Sequence, residues 1–293
     1  MSRVTKYLIR VAKEKSLITT TYYLLTVPVS IIFILHSQKI HSSYRMSGLR
    51  KLRLGITMFL NTLRIPTGTS YKTHLAMALK ILETPPHIPG DIVECGTWKG
   101  GAAANLSLVC KIVGRRLKIF DSFQGLPEGD VNDREAKNYL AGDYSGTLHE
   151  VQANIKRYGS IENCDFIEGW FNETLPMLDT PVLLAFVDVD LEGSLTTCIK
   201  YLWPRLSDSG FIFIDEAVGT DYCALFYSEK WWMKNFNITP PGLIGAGVGL
   251  ALGEYYVGPW SETDDHPYQH HTAGAYTAKG LSGYWSYYPE EVN

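Results

Sequence analysis

Gly90-Asp91-Ile92-Val93-Glu94-Cys95-Gly96-Thr97-Trp98-Lys99-Gly100-Gly101 is an apolar strand that ends on a carboxylate and runs into a glycine turn. Ile92 and Val93 suit a buried strand, Glu94 stands where the strand leaves a sheet, and the glycines let a backbone approach a ligand without a Cβ in the way. Residues 102–113 read on as a helix whose N-terminal amides face the same point. The stretch therefore predicts the floor of a nucleotide-type cofactor site. Its Gly-x-x-x-Gly-Gly spacing is not the Gly-x-Gly-x-x-Gly of a dinucleotide fingerprint, which disfavours a nicotinamide cofactor. A strand-to-helix turn that needs glycine for geometry alone would look the same in isolation.

Outward from this stretch, strands are expected at 91–95, 117–121, 164–168, 183–188 and 210–215, with helices at 102–113, 148–158 and 194–206. That alternation predicts an α/β fold, a Rossmann-like, doubly wound and mostly parallel sheet with helices on both faces. Ahead of it, Leu75, Ala78, Leu79 and Leu82 recur at helical spacing over 71–82, and Pro85, Pro86, Pro89 and Gly90 close that helix. The chain divides into a basic N-terminal helical extension at 1–64, a body at 65–258 that holds a further strand at 254–257, and an aromatic-rich tail at 259–293.

The 293 residues, 45% hydrophobic and 19% charged, suffice for one large domain with a buried core. Five scattered cysteines, never spaced Cys-x-x-Cys, suggest neither a disulfide framework nor a zinc site and fit a reducing cytoplasm. The net charge of -3 conceals an asymmetry: residues 1–64 carry +10 and the remainder -13. An acidic body argues against nucleic acid as a partner, because phosphates demand the opposite sign. Residues 17–35 hold no Asp, Glu, Lys or Arg, and as a helix would reach about 28 Å, near the thickness of a bilayer core. Pro28 interrupts that run and both flanks are basic. Insertion at the cytoplasmic face of a membrane therefore competes with a single span, and both compete with a helix packed on the body or on a second copy of the chain.

Carboxylates recur at the ends of the expected strands. Asp121 lies 25 residues beyond Gly96, where a doubly wound nucleotide site carries an acid for ribose hydroxyls; an N-cap is the alternative. Ala185-Phe186-Val187-Asp188-Val189-Asp190 spaces two acids to leave one side of a strand, and Phe211-Ile212-Phe213-Ile214-Asp215-Glu216 repeats the pattern. Four converging carboxylates would repel one another, so a bound hard cation, Mg2+, is expected, unless Asp188 and Asp215 cap helices while Asp190 and Glu216 stay solvated. His266, His270 and His271 sit together in a polar segment that reads as a solvated loop.

Together with Asp121-Ser122-Phe123-Gln124-Gly125-Leu126-Pro127, Gly169-Trp170-Phe171-Asn172-Glu173-Thr174-Leu175-Pro176, Asp188-Val189-Asp190-Leu191, Pro204-Arg205-Leu206 and Asp215-Glu216, the opening stretch resembles the macrocin O-methyltransferase family over roughly residues 70–220. The resemblance implies a Rossmann-like fold and Mg2+-dependent methyl transfer from S-adenosylmethionine to a hydroxyl, notably of a sugar on a natural product. It implies that Glu94, Gly96, Gly100, Asp121 and Ser122 line the cofactor site, with Gly169 and Trp170 near the adenine. It also implies that Asp188, Asp215 and Glu216 hold the metal and that Asp190 acts as the base. Two positions depart from the family pattern: Glu216 replaces a second aspartate, and Glu192-Gly193 stands where a tyrosine is usual. These departures motivate the alternative of a membrane-tethered binding or scaffold protein on a degenerate methyltransferase fold; a nicotinamide-dependent oxidoreductase is a third reading.

Overall fold

The computed structural model of the chain describes residues 39–128, 139–215, 220–246, 254–257 and 274–280. The apolar run 17–35, Glu216, His266, His270, His271 and most of the aromatic tail lie outside the described residues. Two helices, α1 (Gly48–Arg64) and α2 (Tyr71–Glu83), lead into β1 (Asp91–Cys95), α3 (Gly101–Val113), β2 (Leu117–Asp121), α4 (Leu148–Tyr158) and β3 (Cys164–Glu168). There follow α5 (Phe171–Thr174), β4 (Val182–Val187), α6 (Glu192–Arg205), β5 (Leu206–Ile214), α7 (Thr220–Leu225) and α8 (Glu229–Phe236). The chain then adds β6 (Leu243–Ala246), β7 (Glu254–Val257) and β8 (Ala275–Ala278).

Among the described residues the strands form one eight-stranded sheet in the order β3-β2-β1-β4-β5-β8-β6-β7. The five strands from β3 to β5 pair in parallel, whereas β8, β6 and β7 add an antiparallel edge. Because β1 pairs with β2 on one side and β4 on the other, the winding reverses between β1 and β4. In open α/β sheets that reversal leaves a crevice at the carboxyl ends of the two strands.

Strand periodicity sorts the core into two layers. Ile92, Leu184 and Phe186 pack with Met58 of α1, Leu75 of α2, Leu106 of α3 and Val151 of α4. Val93, Cys95, Ala185 and Val187 point the other way, against Leu195, Cys198 and Leu202 of α6 and Trp232 of α8. All five cysteines are buried, and none is in a disulfide. Two regions differ from the sequence-based division. Leu54 and Met58 of α1 are buried in the first of these layers, so part of the expected extension shares the core of the body. Ala275–Ala278, within the expected tail, pairs with β5 inside the sheet. Among the described residues no helix is long and apolar enough to cross a membrane.

The α1–α2–α3 contact is stitched by polar groups. Asn61 donates to Asn105 Oδ1 at 2.9 Å and to the Tyr158 carbonyl at 3.0 Å, while Asn105 Nδ2 meets the Met58 carbonyl at 3.2 Å and His74 Nδ1 at 2.8 Å. The amide donates, so Nδ1 of His74 accepts and the ring must stay neutral for this bond to persist. Complete burial lowers the His74 pKa to about 3. A depressed histidine stabilises the fold above the unfolded value near 6.5 and loses that contribution as pH falls toward about 3. This single group is expected to cost on the order of 1 kcal/mol of stability per pH unit below about 6.5. Urea unfolding at pH 7 and pH 5 checks it. Relative to the wild type, His74→Gln, which keeps an acceptor but not the titration, should show the smaller loss; an equal loss in both removes His74 as its source.

Candidate active site

The crevice between β1 and β4 is where the expected site residues meet. Gly96, Asp121, Ser122, Gly169 and Trp170 line it, and so do Asp188, Asp190 and Asp215. Glu94 and Gly100 are set apart from this lining, and Glu216 lies outside the described residues.

At the cofactor end, Gly96 leaves β1 with φ 81°, and its amide donates to the Phe120 carbonyl at 3.0 Å. The carboxylate of Asp121 takes the Thr97 amide on Oδ2 and the Phe123 amide on Oδ1, both at 2.7 Å, and its carbonyl takes the Gly169 amide at 3.0 Å. Asp121 thus fastens together the turns that follow β1, β2 and β3. Burial raises its pKa, and hydrogen bonds from the Thr97, Phe123 and Trp98 amides oppose that rise. Each carboxylate oxygen carries a second lone pair, so the fastening leaves room for a ligand hydroxyl. Ser122 Oγ donates to the Gly125 carbonyl at 3.1 Å and accepts the Gln124 amide at 3.1 Å, which shapes the neighbouring turn.

Glu94 and Gly100 act beneath that surface. Glu94 is fully buried, and its Oε2 accepts from Thr97 Oγ1 at 3.2 Å. Burial, and after it the charge of Asp188, raises its carboxyl well above the usual range, against the hydrogen bond from Thr97. Gly100 caps α3 with φ 80°, and a Cβ there would stand 3.1 Å from Val151 Cγ1. Its conformation is required by the start of the helix, the geometric alternative that the glycine spacing left open.

The acids gather beside them. Asp188 follows β4 and its amide donates to the Cys95 carbonyl at 3.0 Å; Asp215 follows β5 and its amide donates to the Val187 carbonyl at 3.2 Å. Strand alternation was expected to bring Asp190 to the same side as Asp188, but β4 stops at Val187. Asp190 instead adopts φ 57°, with the Leu191 amide turned back to the Val189 carbonyl at 2.6 Å. The acids share the crevice through a tight turn, and the Tyr222 hydroxyl donates to the Asp190 carbonyl across it. Burial and then the charges of Asp188 and Asp190 raise Asp215 well above its usual value, against a hydrogen bond from Thr69. Thr69 Oγ1 also lies 3.0 Å from Asp188 Oδ2. Among the described residues no three His, Cys, Asp or Glu side chains are grouped as a metal site.

Several lining residues had no signal in the sequence. Gly68, which lines the crevice, and Thr69, which reaches Asp188, come from the link between α1 and α2. Trp98, Tyr144 and Asp190 all line the crevice with positive φ (45°, 55° and 57°), a rare conformation for side chains of this size or charge that gathers at functional sites. Burial, and after it the charges of Asp190, Asp143 and Asp188, raise the Tyr144 hydroxyl.

Comparison with known proteins gives the family and the fold. The family described as Macrocin-O-methyltransferase (TylF) matches residues 31–241. The 8-demethyl-8-(2,3-dimethoxy-alpha-L-rhamnosyl)-tetracenomycin-C 4'-O-methyltransferase of Streptomyces olivaceus is 38% identical over 139 residues, 44% of this chain and 53% of that protein. The mycinamicin III 3''-O-methyltransferase of Micromonospora griseorubida is 32% identical over 180 residues, 54% of this chain and 69% of that protein. The chain thus spans about half the length of the first relative. The solved O-methyltransferase NovP shares the fold at 19% identity, with a TM-score of 0.55 over 87% of this chain and 98% of that one.

Proposed function

The chain belongs to the macrocin O-methyltransferase family, and from that premise we propose that it transfers a methyl group from S-adenosylmethionine to a hydroxyl of a sugar or glycosylated metabolite. The observation that carries the reading is one crevice, at the reversal of the sheet, lined by Gly96, Asp121, Gly169 and Trp170 together with Asp188, Asp190 and Asp215. The first group supports a nucleoside-bearing methyl donor, with Asp121 toward the ribose and Trp170 toward the adenine. The second supports an acceptor that must lose a proton.

In this proposal Asp190 takes the proton from the acceptor hydroxyl as the oxygen forms its bond to the methyl carbon and the carbon–sulfur bond breaks. An aspartate with an ordinary pKa of about 3.9 is too weak a base to ionise a sugar hydroxyl unaided. The all-oxygen donor set of Asp188 and Asp215, with the Thr69 hydroxyl beside them, fits a hard divalent cation such as Mg2+, and Glu216 is the third ligand we propose. Bound there, Mg2+ would supply the positive charge that lowers the hydroxyl pKa. The Tyr222 bond to the Asp190 carbonyl holds the turn that presents the base. We infer a cytoplasmic setting, with the basic N-terminal segment toward an anionic membrane surface.

Calorimetry of the full chain tests the proposal. S-adenosylmethionine is expected to bind one to one, and adding Mg2+ to raise the melting temperature of the protein. Heat from NAD with none from S-adenosylmethionine would replace this reading with the oxidoreductase one, and an unchanged melting temperature would remove the metal.

A further inference from the structure

We propose that Tyr144, held at a right angle to Trp98, is the platform on which the apolar face of the saccharide acceptor rests while its hydroxyls meet Asp190. The inference rests on the methyltransferase reading and names the part of the crevice that recognises the acceptor. The two rings stand 5.5 Å apart at 87°, so they form a corner of two aromatic surfaces at the edge of the crevice. Tyr144 is 45% exposed, so beside its contacts with Trp98 and with the Tyr139 ring at 5.8 Å it has surface to offer a ligand.

The corner is built into the frame of the site. The Leu126 amide donates to the Asp143 carbonyl and the Gly142 amide to the Leu126 carbonyl, both at 2.9 Å, which fixes the Tyr144 loop to the turn after β2. Gly125 lies so close beneath that a Cβ would sit 2.5 Å from the Asp143 and Gly142 carbonyl oxygens. Gly146 meets the Trp98 carbonyl still more closely, at 1.8 Å from an ideal Cβ. The loop is thus clamped to the two turns that form the cofactor floor, and the positive φ of Trp98 and Tyr144 is held by those contacts.

The chemistry of the corner selects its ligand. A pyranose has hydroxyls around its rim and a patch of C–H bonds on its face; the patch packs on aromatic carbon and the rim pairs with carboxylates. Tyr144 and the acids offer both within one crevice. Adenine of the methyl donor has its own aromatic neighbour in Trp170, at the end of the crevice that Asp121 fastens.

Saturation-transfer NMR on the full chain loaded with S-adenosylhomocysteine tests the assignment, with methyl α-L-rhamnopyranoside as probe. Ring C–H protons of the sugar are expected to receive saturation from the protein. Tyr144→Ala should reduce that signal at least about fivefold, Tyr144→Phe should keep it, and S-adenosylhomocysteine affinity should stay within about threefold in both. Equal signals in the wild type and Tyr144→Ala would overturn the platform, and no saturation in the wild type would overturn the saccharide class. If S-adenosylhomocysteine itself does not bind, the methyltransferase reading falls first.

Discussion

Asp190→Asn is expected to lower turnover by about 10²- to 10⁴-fold, the usual contribution of a positioned general base, while S-adenosylmethionine affinity changes little. The substitution is nearly isosteric, so the turn held by the Leu191 amide and the Tyr222 hydroxyl keeps its backbone partners. What disappears is a proton acceptor and one negative charge beside Asp188 and Asp215. Losing the charge also relieves Asp215, whose pKa is raised in part by Asp190, and that carboxyl should then ionise at lower pH. The variant should therefore show both reduced turnover and a pH–rate profile without the limb that belongs to the base. The assay is methyl transfer from labelled S-adenosylmethionine under single-turnover conditions, which separates chemistry from product release. Turnover equal to that of the wild type would take Asp190 out of the reaction.

Why Asp190 is presented as it is could not be deduced from strand periodicity. Its apolar approach, Ala185-Phe186-Val187, is legible because a fully buried parallel strand reads as an apolar run, and the buried centre of β1 is legible for the same reason. The turn that stops β4 is set by contacts far away in sequence, including Tyr222 from α7. Tyr144 and Trp98 are hidden in the same way, since nothing local favours positive φ at an aromatic residue and only Gly125 and Gly146 packing beneath them makes it tenable. The strand Ala275–Ala278 has no alternation to betray it, and its pairing with Phe211 to Ile214 closes a loop of more than sixty residues. In α1 the buried face includes Asn61 and Thr62, polar residues that a hydrophobic stripe would exclude; their burial follows from partners such as Asn105. The cofactor end was more open to reading because it depends on short-range chemistry: a glycine turn, then an acid at the end of the next strand. Even there Asp121 proves to be a fastener of three turns as well as a ligand candidate.

Gly96→Ala tests the opening stretch itself and should be strongly damaging. Gly96 has φ 81°, and a Cβ built on it would stand 1.9 Å from the Asp188 carbonyl oxygen and 3.0 Å from its carbon. The obstacle is backbone, so no rotamer change can relieve it. Relief requires β1 and β4 to part where the Asp188 amide bonds the Cys95 carbonyl, and that movement carries the acids with it. The left-handed backbone costs an alanine about 1 kcal/mol, and forcing a methyl into packed structure costs about 1–3 kcal/mol more. A loss of about 2–4 kcal/mol is a large share of the roughly 5–15 kcal/mol that holds a domain together. Gly114→Ala is the control: it has φ 71° at the end of α3 but nothing within 4 Å of its Cβ, so only the conformational cost applies. Urea midpoints should fall modestly for Gly114→Ala and several times further for Gly96→Ala. S-adenosylmethionine binding should survive the first and fail in the second. Equal losses at the two glycines would mean that the β1 turn owes its glycine to φ alone, and the close approach of β1 to Asp188 would no longer explain why the cofactor floor and the acids lie side by side.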